Sequence, residues 1–271
     1  MYREFYRLTE PPFQLLPDPR FFLFSTTARG AFDQLLYGIK SGLGFMMLTG
    51  EVGVGKTSLL RVLLHNLDHS VERALILNPL LRDSEELIKS ILLDLGARRH
   101  FPRPLDKVDL LHILERYLLG RHRHGKKVLL IIDEAQALPD RLLEEVRLLS
   151  NFETNEEKLL QILLVGQPEL RRRIDSPEFR QLHQRIAIKA MLCPLDKGEV
   201  GAYLRHRLSV AGSKDAIFSP WALRMIASAS KGIPRLINLI AERSLIAGFV
   251  STKTRIGRRE VRMAMQDLDL R

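Results

Sequence analysis

The residues most able to do chemistry sit in one short block. Gly50-Glu51-Val52-Gly53-Val54-Gly55-Lys56-Thr57 fits the eight-position pattern G-x-x-x-x-G-K-[ST], and Ser58 follows it. Glycines at these places let the backbone turn so that successive N–H groups point at phosphate oxygens, while the next helix offers its positive N-terminus to the same anion. In such a loop the ammonium of Lys56 reaches the β- and γ-phosphates of a nucleotide, and the hydroxyl of Thr57 ligates Mg²⁺. A second block lies some 80 residues on, where the apolar run at residues 128–132 ends in Asp133 and Glu134. Buried carboxylates need a cationic partner, and a hydrated Mg²⁺ is one. Asp133 is then the residue that holds the metal, largely through water, and Glu134 the base that polarises a water attacking the γ-phosphate. Taken alone, an apolar run ending in Asp-Glu is as well explained by a solvated strand end, and the phosphate loop tips the reading.

Both blocks need a scaffold that delivers them from strand ends. Apolar runs occur at residues 45–49, 71–77, 128–132 and 159–165, and amphipathic helical patterns lie between them at 56–67, 84–95, 106–120 and 140–152. Strands apolar on both faces that alternate with helices predict an α/β fold with a parallel sheet. A further strand is expected at residues 185–192. An additional helix is expected at 25–40, ahead of the first strand. From residue 198 onward only helical patterns remain, at 199–211, 220–230, 233–248 and 258–267, which predicts a small all-helical lid domain. Residues 1–20, with Pro11, Pro12, Pro17 and Pro19 among aromatics, read as an extended arm without regular structure, packed on a core. The expected domains are an arm at 1–24, a nucleotide-binding α/β domain at 25–195 and a basic helical lid at 196–271.

Composition narrows the class. The chain has 271 residues, of which 45% are hydrophobic and 27% charged, enough for one or two packed domains and unlike a disordered chain. Its single cysteine, Cys193, cannot form an internal disulfide and suits a reducing compartment, where it reads as a small buried residue beside Pro194. Neither a secretory signal nor a bilayer-spanning apolar run is visible, so a cytoplasmic location is expected. The formal net charge of +10 is concentrated, since residues 201–271 carry 13 Lys and Arg against 5 Asp and Glu. That makes the lid a candidate surface for an acidic partner. The run at 121–127 with its two histidines reads as a solvated turn, Arg171-Arg172-Arg173 as a solvent-facing helix edge, and Pro220 with Trp221 as the cap and core of a lid helix.

The two blocks together with a helical lid resemble the AAA+ superfamily of ATPases. More specific segments are Phe5-Tyr-Arg-Leu-Thr-Glu-Pro-Pro-Phe13, Pro17-Asp-Pro-Arg-Phe-Phe22, Gly44-Phe-Met-Met-Leu-Thr-Gly-Glu-Val-Gly53, Ile132-Asp-Glu-Ala-Gln136 and Val165-Gly-Gln-Pro-Glu-Leu170. These are similar to the ExeA (GspA) family of secretion ATPases and to its close relative in MSHA-pilus biogenesis, the MshM type. The resemblance runs over nearly the whole chain. It implies ATP and Mg²⁺ as cofactors, hydrolysis of ATP, a ring- or hexamer-like homo-oligomer, and inner-membrane partners in a type II secretion or type IV pilus system, with the chain peripheral to that membrane.

The resemblance also implies roles residue by residue. Gln167 occupies the sensor 1 position, where the wider superfamily more often carries Asn. Arg185 matches the arginine finger that reaches a neighbouring subunit's nucleotide, with Arg180 the second candidate and a surface salt bridge the plain alternative for both. Arg235, in Gly232-Ile-Pro-Arg, matches the sensor 2 arginine. Asn78 is either a polar switch that restrains Glu134 or a turn residue before Pro79. A competing function is a DNA-binding regulator of the kind found in transposition, favoured by the basic lid and opposed by the lack of a base-reading module. A third is a slow ATP-driven switch on a scaffold.

Overall fold

The central apolar runs become strands because both of their faces are covered, whereas the edge strand Val71–Ile76 buries only Ala74 and Ile76. The computed structural model describes residues 1–77, 79–97, 100, 105–213 and 215–270. In chain order the elements are α1 (Tyr2–Phe5), α2 (Thr26–Lys40), β1 (Phe45–Gly50), α3 (Lys56–His65), β2 (Val71–Ile76), α4 (Ser84–Asp94), α5 (Lys107–Arg123), β3 (Lys127–Ile132) and α6 (Asp140–Leu149). They continue with β4 (Gln161–Gly166), α7 (Pro168–Ile174), α8 (Arg180–Arg185), β5 (Ile188–Leu192), α9 (Lys197–Val210), α10 (Pro220–Ser230), α11 (Pro234–Val250) and α12 (Arg258–Asp267). The chain divides into two compact units, one of Met1–Ala28, Glu51–Val62 and Cys193–Arg271, the other of Arg29–Gly50 and Leu63–Leu192.

The second unit holds the whole sheet, a five-stranded parallel layer in the order β2-β3-β4-β1-β5. Every residue of β1 and β4 is buried, as continuous apolar runs require. Leu129 and Leu130 of β3 pair with Gln161 and Ile162 of β4, whose next residues pair with Met46 and Met47 of β1. That register sets the carboxyl ends of β3, β4 and β1 side by side on one edge, the edge where open α/β sheets place their ligands. Gln161 is the one polar side chain buried within β4. Its Nε2 donates to the carbonyls of Ile39 at 3.1 Å and Leu43 at 3.3 Å, closing the C-terminal end of α2. Asp83 and Asp106 cap α4 and α5 by accepting the N–H groups of Glu86 and Asp109.

The first unit has its own core, in which Phe13, Phe21 and Tyr6 of the arm pack with Leu204, Ile226 and Ile237 of the lid helices and with Ile256 between α11 and α12. The arm is more regular than its prolines predict, with the short α1 and a 3-10 turn at Pro19–Phe21. Asp18 holds that turn by accepting the N–H of Arg20. Tyr6 Oη donates to the Lys253 carbonyl at 2.9 Å, and Tyr2 Oη donates to Glu242. Burial, with Glu260 nearby, pushes the Tyr6 phenol up to about 12, so it keeps its proton through the physiological range. Arg207 of α9, 6% exposed, donates through Nε to the Pro12 carbonyl at 2.6 Å and through Nη2 to the Gln14 carbonyl at 3.0 Å, and lies over the Phe21 ring.

Removing that guanidinium leaves two carbonyls without their donors. Arg207→Leu is therefore expected to lower stability by about 1–3 kcal/mol and to release the arm, measured by urea unfolding and by proteolytic cleavage within residues 12–18. Resistance of the arm equal to wild type would contradict it.

Several expectations need correction. The strand expected from Arg185 begins at Ile188, and Arg185 closes helix α8. The segment between β4 and β5 folds into two short helices, α7 with Arg171–Arg173 and α8 with Arg180 and Arg185, and Pro168 and Pro177 start helical turns there. Trp221 is not core: its ring is 51% exposed, with the guanidinium of Arg258 at 3.9 Å and that of Arg224 at 4.0 Å from its centroid. Ser219 rather than Pro220 supplies the cap of α10, and Cys193 is half-buried. Arg173 is not a solvent-facing arginine, since it donates to the carbonyls of Gln136 and Leu138. Among the described residues no helix is long and apolar enough to cross a membrane.

Candidate functional site

Within the first unit, residues 51–55 lead directly into α3. Gly53 at φ +80° and Gly55 at φ +104° occupy backbone regions that L side chains avoid, which is why glycine stands there. Lys56 is buried, and its Nζ donates to the Glu51 carbonyl at 3.1 Å. A charged amine held in the loop's own turn is placed for a phosphate to take over from a carbonyl. Thr57 and Ser58 follow on the first turn of α3, where N–H groups lack partners within the helix.

The segment 232–235 lies on this loop. The Arg235 N–H donates to the Gly53 carbonyl at 3.1 Å, and a Cβ added at Gly53 would come within 2.9 Å of Arg235 Cβ and 3.1 Å of Ile233 Cγ2. Pro234 opens α11, and the side chain of Arg235 is exposed. The structure thus brings Gly53, Lys56 and Arg235 together in one unit, as their predicted shared task requires.

Within the second unit, the carboxyl edge of the sheet carries the other predicted residues. The Asp133 N–H donates to the Ile76 carbonyl at 2.9 Å, and Asp133 is buried. Its Oδ1 accepts the N–H of Glu134 at 2.9 Å, and Glu134 has a left-handed backbone, φ +51°. That turn points the chain off β3 into the 3-10 turn Ala135–Ala137. Glu134 Oε2 accepts from Gln136 Nε2 and from Gln167 Nε2, the latter at 3.2 Å. Gln167, just past β4, donates its own N–H to Gln136 Oε1 at 3.1 Å. The contact of Glu134 with Gln136 was not foreseen from sequence, although the spacing of two residues after a strand end was the available signal.

Arg185 stands apart from these groups. Its Nη1 donates to the Arg147 carbonyl at 3.1 Å, Ser150 Oγ at 2.7 Å and Asn151 Oδ1 at 2.6 Å, sealing the C-terminal end of α6. Beside it, burial and the charge of Arg185 hold the Lys158 ammonium below its usual value. Arg180, at the start of α8, is exposed. Asn78 lies outside the described residues.

Mg²⁺ prefers hard oxygen and keeps several waters; of the predicted ligands, the first unit carries the hydroxyl of Thr57 and the second the carboxylate of Asp133. Among the described residues there is no group of three or more His, Cys, Asp or Glu that could hold a metal ion.

Comparison with known proteins adds three findings. Residues 39–174 match the family model described as an AAA domain. The chain is 42% identical over 272 residues to General secretion pathway protein A of Aeromonas hydrophila, covering 99% of the chain and 48% of that protein. The chain therefore spans about half the length of this relative. Among solved structures, Cdc6p from Pyrobaculum aerophilum superposes with a TM-score of 0.72 at 22% identity, covering 93% of the chain and 71% of Cdc6p. ORC1 of Aeropyrum pernix in complex with DNA gives 0.69 at 14% identity (96% and 69% covered), and the RuvB branch migration motor of Thermotoga maritima 0.61 at 20% (91% and 70% covered). At these identities the structures speak for the fold alone.

Proposed function

On the premise that the chain belongs to the family of AAA domains and is an ATP-hydrolysing enzyme, we propose that it powers or gates assembly of a type II secretion or type IV/MSHA pilus system. The carrying observation is the 42% identity along 99% of the chain to General secretion pathway protein A. It works on the cytoplasmic side, at the periphery of the inner membrane, as a homo-oligomer meeting membrane proteins of that system. The working domains are the arm at 1–24, the α/β ATPase domain at 25–195 and the lid at 196–271.

The residues divide the labour as follows. The N–H groups of residues 50–58 and the ammonium of Lys56 bind the phosphates, and Arg235 answers their charge from the lid. Thr57 and Asp133 are the residues that would hold Mg²⁺, which supplies charge neutralisation on the phosphate oxygens. Glu134 takes the proton of the attacking water, and Gln167 orients that water or the γ-phosphate. Arg185, whose Nη1 also anchors the end of α6, is the finger offered to a neighbouring subunit's nucleotide, and the exposed Arg180 is the second candidate.

A second reading, a DNA-binding regulator, is favoured by one observation. Trp221 is exposed between Arg224 and Arg258 in the region that carries 13 basic against 5 acidic residues, and Arg255, Arg259 and Arg262 are exposed as well. Clustered guanidinium groups suit phosphate backbones. One assay separates the readings: ATP turnover of the full chain alone, with inner-membrane vesicles carrying an assembling secretion or pilus system, and with duplex DNA at low and high salt. Vesicle stimulation is expected, and Lys56→Ala is expected to weaken ATP binding about 100-fold. Strong, salt-sensitive stimulation by DNA without a vesicle effect would replace the first reading by the second.

A further inference from the structure

Three side chains at the carboxyl edge of the sheet close a ring of hydrogen bonds. Gln136 Nε2 donates to Glu134 Oε2, Gln167 Nε2 donates to the same oxygen at 3.2 Å, and Gln136 Oε1 accepts the Gln167 N–H at 3.1 Å. The amide of Gln136 is thus used at both ends, which also settles which way round it lies. Its backbone is braced from below, since Arg173 Nη1 donates to the Gln136 carbonyl at 2.9 Å and Nη2 to the Leu138 carbonyl at 2.8 Å. The strand end makes room for it. A Cβ added at Gly166 would stand 2.8 Å from Gln136 Oε1 and 2.7 Å from Leu170 Cδ2, so any side chain there would push the amide or Leu170 aside.

We infer that Gln136 is a positioning residue for hydrolysis: it holds the carboxylate of Glu134 by one oxygen, together with Gln167, so that the other oxygen is presented to the attacking water. A carboxylate on a freely rotating Glu side chain spreads over many rotamers, and a base must sit within hydrogen-bond reach of the proton it takes. Two N–H donors converging on Oε2 select one of those orientations. Because the same amide receives the Gln167 N–H, a displacement of the β4 end is carried to Glu134 through Gln136. Gln167 is the residue expected to contact the γ-phosphate or the water, so the ring couples the state of the nucleotide to the aim of the base. The inference rests on the reading of Glu134 as the base.

The experiment compares full-length wild type, Gln136→Met, Gln136→Glu, Glu134→Gln and the double variant Glu134→Gln/Gln136→Met. Each is measured for kcat, KM and affinity for a fluorescent ATP analogue. Met fills the space of Gln without donor or acceptor, whereas Glu keeps an oxygen for the Gln167 N–H and sets a like charge against Glu134. Both single variants at Gln136 are expected to lower kcat by about 10- to 100-fold, with KM and analogue affinity within about twofold. The double variant is expected to be no slower than Glu134→Gln alone, because Gln136 acts through that carboxylate. Wild-type or higher kcat in Gln136→Met overturns the inference, as does an equal loss in KM and binding. If Gln136→Met unfolds, Gln136→Glu decides by the same criteria. Glu134→Gln with wild-type turnover would instead overturn the reading of the base, whatever Gln136 does.

Discussion

Glu134→Gln is expected to lower ATP turnover by about 100- to 10,000-fold while leaving ATP affinity within a few-fold of wild type. The amide is nearly the same shape as the carboxylate and its oxygen can still accept from Gln136 and Gln167, so the turn after β3 has no reason to rearrange. It cannot take a proton from water. Phosphate binding rests on other residues, Lys56 and the loop around it, which the change does not touch. The product is a chain that binds ATP and keeps it, and therefore one that accumulates in its ATP-bound assembly. Steady-state turnover, analogue binding and light scattering with ATP measure the three parts. Turnover within about threefold of wild type would remove Glu134 from the role of base.

Gly232→Ala is expected to do comparable damage by a different route. Gly232 has φ +76°, and a Cβ there would fall on the carbonyl oxygen of Leu195, a backbone atom with no rotamer to yield. Relief requires moving the backbone, which strains the bond from the Leu195 N–H to the Gly232 carbonyl, now 2.9 Å. The displaced segment continues into Arg235, whose N–H holds the Gly53 carbonyl. Left-handed strain plus a backbone clash should cost about 3 kcal/mol or more, read as a lower midpoint in urea. ATP affinity should fall at least about tenfold in the fraction that remains folded. An unchanged midpoint with unchanged affinity would show that the lid and the phosphate loop do not share this contact.

How much of this could be read in advance varies with the range of the interaction. The strands were legible because burial on both faces leaves nearly uninterrupted apolar runs, as at residues 128–132, and the phosphate loop because its glycines answer to local backbone geometry. Lys56, Thr57, Asp133 and Glu134 followed from those two facts. The bonds of Arg185 to the end of α6 were not legible, because a guanidinium near a strand gives no hint of acceptors at Arg147, Ser150 and Asn151, more than 30 residues away. Trp221 was assigned to the core from its place at the start of a lid helix, yet flanking by Arg224 and Arg258 suits an exposed ring. The bond from Gln167 to Gln136 was not legible because the two residues follow different strands, and pattern along the chain carries no register between strands.

The arm gives the chain an unusual order of construction. Thr9 bonds to Ala211 and Tyr2 to Glu242, partners 202 and 240 residues later. At about 5–20 residues per second, these residues wait tens of seconds on the ribosome for the ones they pack against. The sheet unit, whose segments are all complete by Leu192, can close during that wait. Phe13 and Phe21, which end in the core of the other unit, stay uncovered until the final helices emerge. The aromatic arm is thus synthesised well before the helices that cover it and folds after the sheet unit, and a nascent chain stalled between residues 192 and 240 is the form most prone to aggregate or to need a chaperone.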